Sequence, residues 1–244
     1  MNGRLIPRDE VTAALQSEML ELMRANFSAV DPEQFALDLD EKNWVVLIED
    51  DAAKLRGFST LHIYEIEYER EPFSVVYSGD TIIDRTAWSS RTLPQAWIAA
   101  VLHLRQFYPR GRYYWLLLSS GYRTYRFLPV LWREFFPRFD VHTPPVIKGL
   151  VDHLAGTRFG SLYDPECGIV RFPRPYVLRD DLRRIPPERL RNPHVAFFAA
   201  RNPGQEWGDE LVSITELHSD NLTSAGRRVV REGQRRVALG RVAT

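Results

Sequence analysis

The sequence predicts an α/β (α+β) protein, a mixed and mostly antiparallel central sheet flanked by helices, with a proline-rich C-terminal extension. Three observations predict it. Apolar residues recur at helical spacing through the first forty residues, and from Asn43 the texture changes to β-branched and aromatic runs separated by turn residues. Composition completes the argument: 244 residues with 44% hydrophobic and 26% charged residues can bury a sizeable core, which excludes disordered and low-complexity classes.

The elements follow in order. Ala14, Leu15, Leu20, Leu22 and Met23 lie among polar residues between Val11 and Phe27, an amphipathic helix with Thr12 or Asp9 as N-cap. Asp31-Pro32-Glu33 reads as a cap followed by proline at the first helical position, opening a short helix through Leu39. Trp44–Ile48 and Phe58–Tyr68 make a hairpin across Glu49-Asp50-Asp51, and Phe73–Ile83 is a third strand. Thr92–Tyr108 is helical, Arg112–Leu118 is a strand, and Ser119-Ser120-Gly121 breaks it before a helical pattern over Tyr122–Phe136 that Pro129 interrupts. Beyond Val141, prolines cut almost every periodic run. Val146–Leu154 reads as a helix, Val195–Ala200 and Glu210–Leu217 as a late β-hairpin completing the sheet, and the segment from Asn221 as a helix or a mobile basic tail. The expected organisation is a core over residues 1–140, the extension over 141–220 and the basic tail over 221–244.

Charge and cysteine usage narrow the function. Lys plus Arg and Asp plus Glu each number 32, so the net charge is zero, which argues against a wholly nucleic-acid-binding or acidic-membrane-binding surface and leaves room for a local basic patch. Cys167 is the sole cysteine, which rules out an intramolecular disulfide and a cysteine-rich zinc site; it reads as an inert thiol in a reducing, cytoplasmic setting. The six histidines lack ligand spacing, so no metal is expected. The start has no apolar leader run, and no stretch approaches the roughly 20 apolar residues of a membrane span.

Two clusters invite chemistry. Small hydroxyl residues and arginines gather where Arg85–Thr92 meets the following helix, and a helix N-terminus so furnished suits a phosphate. A capped helix start without a ligand is the alternative. Asp80 follows Gly79 in an otherwise apolar strand, where aspartate is disfavoured; it reads as a base or as a β-bulge residue. His62, Glu65 and Glu67 are further base candidates, although two glutamates alternating onto one face also describe a solvated edge.

The element order over Val11–Phe139 resembles the GNAT acyltransferase superfamily. That resemblance implies a loop after a central strand whose backbone amides cradle the pyrophosphate of an acyl-CoA. Its signature is Arg or Gln, two residues, Gly, one residue, then Gly or Ala. Starting at Arg85 puts Trp88 and Ser90 at the glycine positions; a start at Trp88, which leaves the helix beginning near Leu93-Pro94, puts Arg91 and Leu93 there. The implied donor contacts are Arg85, Trp88, Ser89, Ser90, Arg91 and Thr92, and the departure from the glycine pattern brings in donors carried on an acyl carrier protein or a tRNA. The family's late tyrosine, which protonates the leaving thiolate, is replaced by Trp132, so Tyr122 and Tyr125 are the substitutes. Asp80 and Glu65, the base candidates read from the strands, complete the expected catalytic set. The function implied is direct attack of an amine acceptor on an activated acyl group; a non-catalytic binding module and an aminoacyl-tRNA-dependent transferase contacting RNA through Arg227–Arg241 are the alternatives.

Overall fold

The computed structural model describes residues 1–87, 90–235 and 237–239. The chain runs through β1 (Asn2–Pro7), α1 (Ala13–Asn26), β2 (Phe27–Ser28), α2 (Pro32–Asp40), β3 (Trp44–Glu49), β4 (Leu55–Tyr68), β5 (Glu71–Ile83), α3 (Thr92–Leu104) and β6 (Arg112–Ser119). Short helices α4 (Tyr122–Tyr125) and α5 (Phe127–Leu131) precede α6 (Pro145–Phe159), the two-residue strands β7 (Tyr163–Asp164), β8 (Ile169–Val170) and β9 (Val177–Leu178), and α7 (Asp180–Arg183). Then come α8 (Pro193–Arg201), β10 (Glu210–Glu216), α9 (Ser224–Gly233) and β11 (Val237–Leu239).

Local chemistry sets the first boundaries. The Thr12 hydroxyl accepts from the Leu15 amide at 3.2 Å, and the Asp31 carboxylate accepts from the Glu33 amide at 2.9 Å with Pro32 as the first helical residue. Each cap satisfies an amide that the helix itself leaves bare. The order from α1 to α4 is the one the GNAT resemblance implies.

The main sheet has the order β11-β1-β3-β4-β5-β6-β10-β8-β7, and only β11 with β1 and β5 with β6 are parallel. Alternation along the strands sorts three apolar cores. Leu61, Ile63, Trp115 and Leu117 face α3, with α5, α8 and α9 completing that layer. On the opposite face, Val45, Leu47 and Phe58 pack under α1 and α2. Val75, Tyr77, Leu116 and Leu118 pack under α6 on that same face. That face therefore carries two separate helical covers with an interval between them. Gly111 makes the turn into β6 at φ +53°, where a Cβ would lie 1.6 Å from the Pro72 carbonyl oxygen.

Two expectations are corrected. Val195–Ala200 is helical, part of α8: the Asn192 side chain accepts from the His194 and Val195 amides, Pro193 supplies the first turn, and Val195 and Phe198 are buried three residues apart. An apolar run bounded by Asn-Pro fits either period, and the cap decides it. Only β10 of the expected late hairpin is a strand, and it pairs antiparallel with β6. The helix expected through Phe136 ends at Leu131. Beyond it Trp132 bridges Leu222 and Phe136 bridges Ile214 of β10, and the Arg133 and Phe136 amides donate to the carbonyls of Asn221 and Ile214 in place of helical partners. Of the two expectations for the C-terminus, the helix is observed: Thr223 caps α9, whose Gly233 lies so close to α3 that a Cβ would come 2.3 Å from the Gln95 carbonyl oxygen. Arg227, Arg228 and Arg231 project from it, and Arg241 is outside the described residues. No helix among the described residues is long and apolar enough to cross a membrane.

Candidate active site

The parallel ladder of β5 and β6 runs from Phe73 opposite Arg112 to Ser78 opposite Leu117 and stops. Beyond that rung β5 continues with β4 while β6 continues with β10, so the two strands part. The last rung is pinned from below, where Trp115 Nε1 donates to Ser78 Oγ at 2.6 Å and the Trp97 and Trp115 rings pack with centroids 4.1 Å apart, tilted by 39°. At the point of parting, Gly79 and Asp80 together oppose Thr60 of β4. This is a β-bulge, the residue pattern anticipated for the Gly-Asp pair. It turns Asp80 into the interval between α2 and α6.

That interval is a cleft of about 990 Å³, at the upper end of the size of small-molecule sites. Its floor is the bulge and the end of β6. One wall is the end of α2 with Asp38, Glu41 and Lys42, the other is α6 with Arg158 and Phe159, and Glu210 stands at the start of β10. The stretch from Phe172 to Tyr176 closes a side. Arg158 crosses between walls: its guanidinium donates to Glu41 Oε2 at 2.8 Å and to His62 Nδ1 at 3.1 Å, and stacks 4.0 Å from the Tyr77 ring centroid.

The cleft separates the proton affinities of its carboxyl groups. Burial pushes Asp80 up to about 6, opposed by the Lys42 charge. Burial, reinforced by Asp80 and Asp38, pushes Glu210 up to about 8. Neither carboxyl has a hydrogen-bond or ion-pair partner among the described residues. Burial, then Arg158 and Lys42, lowers His62 to about 4, so its imidazole is neutral at ordinary pH and its Nδ1 accepts from Arg158. Two carboxyls with separated affinities in one cleft can divide the work of a base and a proton donor.

The other anticipated residues are dispersed. Tyr125 is fully buried among Phe135, Phe197 and Phe198, with its hydroxyl donating to the Pro137 carbonyl at 2.9 Å. Tyr122 is also buried, 4% exposed, in the core under α3. Neither lines the cleft: the short helix α4 turns both rings into the core. Glu65 accepts from the Arg110 amide at 3.2 Å at the far end of β4 and does not line the cleft.

At the expected donor loop, Trp88 and Ser89 lie outside the described residues. Arg85 makes a two-point contact with Asp181 of α7, and Ser90 Oγ accepts from the Thr92 amide at 3.1 Å. Arg91 is exposed at the α3 N-cap position with no partner among the described residues, leaving it available to an anion. Lys42, Arg158 and Glu210 escaped the sequence reading. They stand on three elements far apart in the chain, and no motif joins them.

No protein-family model matches the chain, and no curated protein matches it in sequence. Among solved structures it is similar to a probable N-acyltransferase of Enterococcus faecalis, at 14% identity and a TM-score of 0.40 over 55% of this chain and 33% of that one. The match thus spans about a third of the bacterial protein. It is also similar to the Escherichia coli GNAT-family N-acetyltransferase YhbS solved with CoA, at 14% identity and a TM-score of 0.37 over 52% of this chain and 68% of that one. Similarity to Tetrahymena GCN5 is at 11% identity and a TM-score of 0.41 over 60% of this chain and 85% of that one.

Proposed function

We propose that the protein is a GNAT-like N-acyltransferase that passes an acyl group from a phosphopantetheine thioester, acyl-CoA or an acyl carrier protein, to a small amine. The observation that carries the reading is the parted β5–β6 pair with Asp80 delivered by a bulge to the cleft between α2 and α6. A thioester lying between the parted strands meets the free polar edge left where the ladder ends. The exposed Arg91 at the start of α3 supplies a cation for the donor's phosphates, with the positive end of the helix behind it.

In this reading the amine nitrogen attacks the thioester carbon, the carbon–sulfur bond breaks, and the thiolate leaves. Asp80, ionised above about pH 6, takes the proton released by the amine. Glu210 holds its proton to about pH 8 and is the cleft's hydrogen-bond donor toward developing negative charge. Tyr122, Tyr125 and Glu65 have no part in it.

The test is acylation by the purified protein with acyl-CoA, acyl carrier protein and aminoacyl-tRNA donors offered side by side against a panel of amines, with Asp80→Asn assayed beside the parent. Turnover that falls by ~10²- to 10⁴-fold in the variant, with donor affinity retained, supports the assignment. A parent inactive with every donor overturns it and leaves a ligand-binding module.

A further inference from the structure

Among the described residues Lys42 is the one charged residue that is buried. It is 7% exposed, and lysine is almost never that buried without an acidic partner. Its ammonium donates to the Asp38 backbone carbonyl, yet among the described residues no carboxylate oxygen comes within the 4.0 Å of an ion pair. Asp80, Asp38 and Glu41 act on it only through space. The side chain lies along the bulge, where a Cβ on Gly79 would meet Lys42 Cε at 2.6 Å, and its ammonium stands 5.5 Å from the Tyr77 ring centroid.

The same ring carries Arg158. That side chain is 15% exposed, and its Nε–H is buried without an acceptor among the described residues. Two cations are thus held against one aromatic ring in a cleft, repelling each other. Of the acids around the pair, Asp38 and Asp80 act on Lys42 only through space, and Glu41 binds Nη2 of Arg158. Burying uncompensated positive charge is costly, and it persists where a ligand supplies the missing anion. Asp80 stands at the bulge on the cleft floor and Glu210 at the start of β10, the groups to which an amine is directed.

Resting on the acyl-transfer reading above, we propose that the acceptor is an amino acid whose carboxylate is held by Lys42 and Arg158 beside Tyr77 while its amine is turned toward Asp80. The arrangement orients the nucleophile by its own carboxylate. It also discriminates against simple amines, because an acceptor lacking the anion leaves the buried Lys42 ammonium without a counter-ion and the Arg158 Nε–H without an acceptor. The aromatic surfaces of Phe159 and Phe172 remain for the acceptor's side chain.

Binding is measured by titration calorimetry on the full chain with free L-amino acids of apolar, cationic and anionic side chains, each beside its carboxamide. At least one acid binds the parent tenfold or more tighter than its amide, the order of one charge-assisted hydrogen bond. In Lys42→Met that preference falls toward unity. Because the substitution replaces a buried charge by an apolar chain of similar length, the variant melts no lower than the parent, which keeps the result free of folding artefacts. Arg158→Gln, read the same way, tests the second cation.

Equal affinity for acid and amide, or no binding of any acid, overturns the inference. So does a Lys42→Met variant that keeps the preference, or displacement of the bound acid by CoA alone, which would assign the cations to the donor. Acid preference without turnover on any donor supports the carboxylate site while refuting acyl transfer, so the two claims fail separately.

Discussion

Glu210 offers the sharpest test of the cleft's electrostatics, because its perturbation has a definite sign and pH window. Its carboxyl is moved from 4.5 to about 8 by burial, Asp80 and Asp38. Below about pH 4.5 both folded and unfolded chains hold the proton, and the residue costs nothing. Between 4.5 and 8 the unfolded chain ionises first, so stability is lost progressively as pH rises, and above 8 the loss is complete. At about 1.4 kcal/mol for each tenfold change in proton affinity, the upper bound is about 5 kcal/mol. Glu210 sits at the wall of an open cleft and is only partly buried, so water screens it and about 2 kcal/mol is the expected loss.

Glu210→Gln keeps the shape and removes the titration. Thermal melts of parent and variant from pH 4 to pH 9 coincide at the acid end and separate through neutrality, the variant melting about 4–8 °C higher above pH 8. Asp80 titrates in both proteins and largely cancels from the difference. Parallel curves at every pH, or a variant that melts lower in alkali, would show that Glu210 is not held in a desolvated, like-charged setting.

Three further outcomes are expected. Asp80→Asn gains stability above about pH 6, since a raised carboxyl costs stability once ionised, while its turnover falls; a variant that melts lower there would place Asp80 in a structural network. Tyr125→Phe strands the Pro137 carbonyl and lowers stability by about 1–2 kcal/mol in chemical denaturation, with unchanged rate per folded molecule; a large rate loss would return the residue to the catalytic set. Arg91→Ala weakens donor binding by about 1.5–3 kcal/mol in calorimetry, whereas Arg85→Ala, which removes an exposed pair with Asp181, changes stability by no more than about 1 kcal/mol; equal effects on donor binding would refute the distinction.

What the sequence determined by itself is local. Thr12 and Asp31-Pro32 announce the starts of α1 and α2, β-branched and aromatic runs announce β3 to β6, and Gly79-Asp80 inside an apolar strand announces the bulge. Each is a signal carried within a few residues, because caps, turns and side-chain alternation are short-range physics. The helical identity of α8 was ambiguous at that range: Val195–Ala200 fits both periods, and the Asn192 cap with burial of Phe198 decided it. Tertiary structure alone assembled the cleft. Lys42, Asp80, Arg158 and Glu210 are separated by 38, 78 and 52 positions, and they meet because the β5–β6 ladder ends where α2 and α6 leave the sheet uncovered. Tyr122 and Tyr125 were drawn the other way. A tyrosine's spacing is the same whether its hydroxyl meets a ligand or a backbone carbonyl, and only the packing of α4 against the core determines which.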